Sequence, residues 1–144
     1  MVRGPRRRPE MAYADTNVFI ALLVGTSHPL HEPALSIFRR VAGGELVLLV
    51  TPVIVAELVY VGRSLLRWTR GVTAARLGEL LSADGLVVAE AETVQRALLL
   101  YRKWSKLDFA DAYLAAAALE VGPAVVASLD AGLDTVEGVR RISA

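Results

Sequence analysis

The chain has 144 residues, 54% of them hydrophobic, which suits one domain with a real core, is too short for two, and is too apolar for intrinsic disorder. It contains no cysteine, so disulfides and thiolate metal sites are excluded and a reducing compartment, the cytoplasm, is the expected location. The net charge of +1 hides an asymmetry: Arg3, Arg6, Arg7 and Arg8 against Glu10 place +3 in the first ten residues and leave −2 on the other 134. Attraction to nucleic acid must then come from local patches rather than from the field of the whole domain.

In chain order, residues 1–10 are Arg- and Pro-rich, lack the apolar core of a signal peptide, and run into a second methionine, Met11. They read as a basic flexible tail, with an RNA-gripping arm as the functional alternative. The longest uncharged stretch, Thr16 to His31, carries Gly25 and Pro29 and is too short to span a membrane. A short apolar strand ends at Asp15, a helix follows over 18–24, and a second over 29–42 stops at Gly43-Gly44. A strand over 45–50 passes directly into a helix, with Thr51 as its N-cap and Pro52 at the first helical position. Helices are expected near 72–82, 90–106 and 109–121, and strands at 85–89, 124–128 and 138–142. This alternation predicts an α/β domain over 11–144: a three-layer α/β/α arrangement around a parallel sheet of four or five strands, with ligands at the carboxyl ends of those strands.

Four carboxylates map to that edge: Asp15 after the first strand, Glu57 on the helix after the second, Asp111 in DFADAYLAAAA, and Asp130 after VVASL. Crowded carboxylates repel one another unless a cation sits among them, so the group predicts a divalent metal, and all-oxygen ligation selects Mg²⁺ or Mn²⁺. Each acid also has a plainer reading. Asp15 could cap the next helix. Glu57 is too deep in its helix to cap it and needs a partner at the core border. Asp108 reads mainly as the N-cap of the helix at 109 and Asp111, at its third position, mainly as a ligand. Asp134 is either a turn residue or an auxiliary ligand.

Taken together, ADTNVFIALL, TPVIVAEL, DFADAYLAAAALEVG and VVASLD, in this order, resemble the PIN domain. The small size makes the chain similar to the VapC toxins of toxin-antitoxin pairs, and the likeness covers everything from Met11 on. The resemblance implies that Asp15, Glu57, Asp111 and Asp130 form the family's acidic quartet, that Asn17 braces the loop, and that Ser128 is the small hydroxyl before the last acid, where threonine is common. It also implies a Mg²⁺- or Mn²⁺-dependent ribonuclease in which a cation-activated water attacks the scissile phosphate in line. A homodimer and a small antitoxin partner are implied as well.

RNA could be gripped by two basic stripes: Arg63, Arg67 and Arg70, and Arg96, Arg102, Lys103 and Lys106, whose alternative is a solvated helix face. Trp104 shares a stripe with Val94, Ala97, Leu98 and Tyr101 and is expected in the core rather than against a base. His28 and His31 are expected as loop residues. Two other functions stay open. One is a PIN module that binds RNA or protein without cutting. The other is a haloacid-dehalogenase-like phosphatase, which needs an acid where Asn17 stands.

Overall fold

The computed structural model describes residues 7–143. The expectation of a flexible tail falls largely on residues 1–6, outside the described residues. Residues 7–9 carry no regular structure, and the first strand opens at Glu10, whose N–H donates to the Glu45 carbonyl at 3.0 Å. Among the described residues regular structure therefore begins at residue 10.

The elements are β1 (Glu10–Tyr13), α1 (Thr16–Val24), α2 (His31–Ala42), β2 (Leu46–Val50), α3 (Pro52–Ser64), α4 (Arg70–Leu81), β3 (Leu86–Val88), α5 (Ala91–Lys103), α6 (Phe109–Glu120), β4 (Val125–Ala127) and β5 (Arg140–Ile142), with a 3-10 turn, Ala131–Thr135, between the last two strands. Local chemistry sets most of the boundaries. The Thr51 hydroxyl accepts from the Ile54 N–H at 3.4 Å with Pro52 at the first helical position, which turns β2 into α3 without a loop. α2 ends at Gly43-Gly44, and Gly44 holds φ at +75°, a conformation that glycine adopts without a Cβ penalty. α4 begins earlier than periodicity suggests because Thr69 caps it, its hydroxyl accepting from the Val72 N–H at 3.1 Å.

All strand pairs are parallel. β2 lies between β1 and β3, with Ala12 opposite Leu48 and Leu49 opposite Val87. Leu46, Leu48 and Val50 are buried on one face of β2 while Val47 and Leu49 are half-buried on the other, the pattern of a strand covered on both sides. α2 packs on β2, α4 on β3 and α6 on β4. α5 packs extensively on α6, and Val94, Ala97 and Leu98 of the first and Ala112, Ala115 and Ala116 of the second are all essentially inaccessible. Alanines let the two backbones approach closely, and a larger side chain there would overpack by about 1–3 kcal/mol.

The sheet is narrower than the sequence suggests. Rather than four or five strands in one sheet, three form the main sheet, and β4 and β5 pair separately, Val125 opposite Arg140 and Ala127 opposite Ile142. β1 is left as an edge on which Met11 and Tyr13 are 60% and 76% exposed. Periodicity identifies strands but carries no information about which strands become neighbours.

Candidate active site

Asp15 follows the carboxyl end of β1 and caps α1: its Oδ1 accepts from the Thr16 N–H at 2.7 Å. Thr16 is buried, and its hydroxyl donates to the Glu57 carboxylate one turn into α3. The helix-border carboxylate thus finds its partner in a threonine 41 residues away. Asp15, Asn17 and Glu57 line a groove of about 570 Å³ between α1 and α3, floored by Ile20, Ala56, Tyr60 and Val61. Asn17 is exposed there, and the described residues include no hydrogen bond by which it braces the loop.

The other two acids, Asp111 and Asp130, neighbour each other beside Asp108. Asp108 caps α6, its Oδ1 accepting from the Asp111 N–H at 2.8 Å, the cap expected from the sequence. The Asp111 carboxyl is pushed up to about 6, first by burial, then by the charge of Asp108 and by hydrogen bonding with, and the charge of, Asp130. A proton held between two carboxyl groups is the usual answer to crowding of like charges. Asp130 is fixed from both sides: its N–H donates to the Ser128 hydroxyl at 3.0 Å, and its Oδ1 accepts from the Gly132 N–H at 2.8 Å. The Ser128 hydroxyl thus braces the backbone of Asp130.

The family model of the PIN domain matches residues 12–139. The chain belongs to the PIN domain family. No curated protein and no solved structure matches it. Membership sets aside the dehalogenase-like phosphatase. PIN domains are in general metal-dependent nucleases, and no helix among the described residues of this one is long and apolar enough to cross a membrane.

The donor set of this PIN domain fits a hard cation: every candidate ligand is a carboxylate oxygen, the choice of Mg²⁺ and Mn²⁺ over softer metals. Burial first, and then the neighbouring Asp108 and Asp130, push the Asp111 carboxyl up, and a cation beside it would favour its charged form. The acids do not form one closed cage, however. Among the described residues no three His, Cys, Asp or Glu side chains stand close enough to hold an ion together. The quartet is divided between the α1–α3 groove and the start of α6, elements joined through the packing of α3 on α6.

Several other candidates have structural duties. Asp134, expected as a turn residue or an auxiliary ligand, is engaged by Arg141. Both of its oxygens are taken by Arg141, at 2.8 and 2.9 Å, and this forked pair lowers its carboxyl further below the ordinary range. Arg141 also donates to the Ser128 carbonyl at 3.0 Å, bracing the turn that carries Asp130. The guanidinium of Arg70, expected to meet RNA, instead bonds within the chain to the carbonyls of Tyr101, Trp104 and Leu107. Arg96 pairs with Glu120 at 2.7 Å, and Arg63 donates to the Trp68 carbonyl at 2.6 Å. Arg67, Arg102, Lys103 and Lys106 are exposed. Trp104 packs half-buried against the core, as its stripe predicted. The His28 ring accepts from the Leu30 N–H and the His31 ring bonds to the Ala21 carbonyl, so both shape the α1–α2 connection.

A larger hollow of about 870 Å³, lined by Arg7, Arg8, Glu10, Gly43, Gly44 and Glu45, lies at the amino ends of β1 and β2. It is the edge opposite to the one where such sheets bind ligands.

Sequence reading missed Thr16, Gly132 and Arg141. The sequence offers a weak signal for Thr16 alone, a polar residue inside the apolar opening of α1.

Proposed function

We propose that this PIN domain is a divalent-metal-dependent endoribonuclease of the VapC toxin type, cutting RNA phosphodiester bonds at the edge formed by Asp15, Glu57, Asp111 and Asp130. The observation that carries the reading is the match of the PIN family model to residues 12–139 in a chain that holds all four of these carboxylates; the Asp111 carboxyl, pushed up first by burial and then by Asp108 and Asp130, supports it. Asp111 and Asp130 would hold Mg²⁺ or Mn²⁺, with Asp15 and Glu57 completing that site or a second one. Bound there, the cation supplies charge neutralisation of the phosphate and a water acidic enough to attack it. Asp108 orients the first turn of α6 and with it Asp111. Thr16 holds Glu57 in one rotamer, and Ser128 and Gly132 fix Asp130. The exposed Arg67, Arg102, Lys103 and Lys106 supply phosphate contacts. A homodimer with an antitoxin partner in the cytoplasm belongs to the same reading.

The test is an RNA cleavage assay with chelator and metal add-back. EDTA should abolish cleavage, and Mg²⁺ or Mn²⁺ should restore it. Cleavage that persists in excess chelator would overturn the mechanism, and no cleavage with any metal would leave a module that binds without cutting.

A further inference from the structure

Arg70, the first residue of α4, turns its side chain inward. Its guanidinium lies 3.7 Å from the centroid of the Tyr101 ring. Its Nε donates to the Tyr101 carbonyl at 3.1 Å, and one terminal nitrogen reaches the carbonyls of Tyr101 at 2.8 Å, Trp104 at 2.9 Å and Leu107. These oxygens belong to the last turn of α5 and the short connection to α6. Helix-end carbonyls of this kind lack intrahelical partners and favour a cation. α5 stops three residues earlier than its periodicity suggests, at Lys103, and the connection then runs straight into Asp108.

The other side of that connection touches the mounting of Asp130. The Gly132 N–H holds the Asp130 carboxylate, and a Cβ added at Gly132 would stand 3.0 Å from both Asp130 Oδ1 and the Lys106 carbonyl oxygen. Residues 104–107 therefore carry Asp108 and Asp111 at their end, press against the turn that fixes Asp130, and are pinned from behind by one arginine.

We infer that Arg70 is a positioning residue for the acidic cluster: by tying three carbonyls of the last turn of α5 and its connection to α6 it sets the separation of Asp111 from Asp130. The inference rests on the metal-dependent cleavage proposed above. Only a guanidinium serves all of these contacts at once, because its planar fork stacks on Tyr101 while donating in several directions. An ammonium is a point charge on a flexible stem. Outer supports of metal ligands are typically worth 10–100-fold in affinity or activity.

The test compares the full chain with Arg70→Lys, Arg70→Gln and Gly132→Ala, taking Asp111→Asn as reference. Mn²⁺ affinity is read by calorimetry, kcat and KM by RNA cleavage, and folding by melting temperature. Arg70→Lys should fold, lose about tenfold or more in kcat with KM nearly unchanged, and bind Mn²⁺ about tenfold more weakly. Gly132→Ala should shift the same readouts in the same direction. A folded Arg70→Lys with wild-type kcat and Mn²⁺ affinity would overturn the inference alone. A wild-type protein that neither binds Mn²⁺ nor cuts RNA would overturn the functional reading, and the inference with it. Should neither Arg70 variant fold, amide exchange of the wild type decides. The N–H groups of Leu107 and Asp111, bonded to the Trp104 carbonyl at 3.1 Å and to Asp108 at 2.8 Å, should be protected like the end of a helix. Exchange as fast as that of an open loop would contradict a pinned connection.

Discussion

The two halves of the acidic edge handle the same side-chain chemistry in opposite ways. In the α1–α3 groove each carboxylate has a neutral donor: the Thr16 N–H for Asp15 and the Thr16 hydroxyl for Glu57. At the start of α6 Asp108 and Asp130 also accept from backbone N–H groups, but the Asp111 carboxyl is pushed up to about 6, first by burial and then by these two neighbouring acids. A carboxylate paired with a donor is content without a cation, whereas one wedged between two others is not. The α6 half is therefore where a cation gains most, and the groove half is preorganised by hydrogen bonds.

The strongest way to break this contrast is to neutralise one member of each kind. Asp111→Asn should cut RNA cleavage by roughly a thousandfold while leaving the fold intact, because it removes a charge required only when a cation and phosphate are bound. Asp108→Asn should stay within about threefold, since asparagine caps a helix about as well as aspartate. Equal losses in the two variants would erase the distinction between ligand and cap. Thr16→Val probes the other half. Without its hydroxyl donor Glu57 loses its fixed orientation, so cleavage should fall roughly tenfold and stability by about 1 kcal/mol. Thr16→Ser should recover most of the activity, and a Thr16→Val enzyme as active as wild type would detach Glu57's hydrogen bond from function.

The smallest effect sharpens the comparison without any substrate. Asp111 binds its proton more tightly when folded than the ordinary value of 3.8 allows an unfolded chain. In chelator the unfolded state thus releases that proton first, and stability falls as pH rises from near 4 to near 6, remaining reduced above. Relative to wild type, Asp111→Asn should melt higher by about 3 °C above pH 6 and show no such advantage below pH 4. Parallel melting curves across that window would mean that the crowding of Asp111 is relieved in solution.

What was legible in the sequence was local. Thr51-Pro52, Gly43-Gly44 and the Asp108/Asp111 spacing fixed their boundaries because each interaction closes within a few residues. What was not legible depends on distant partners. Arg70 falls at helical spacing from Arg63 and Arg67, yet Thr69 starts a new helix, Arg67 sits in a turn with φ of 55°, and the partners of Arg70 lie 31 to 37 residues on. The three arginines share no face. The same limit hid the separation of β4–β5 from the main sheet.

Mn²⁺ binding to the metal-free protein near neutral pH, followed by the loss of the free-ion resonance signal and repeated with Asp111→Asn, tests the central claim most directly. The account predicts saturable binding in the wild type, weakened about tenfold or more in the variant because one anionic ligand is gone. Binding that is absent in the wild type, or equal in the two proteins, would contradict it.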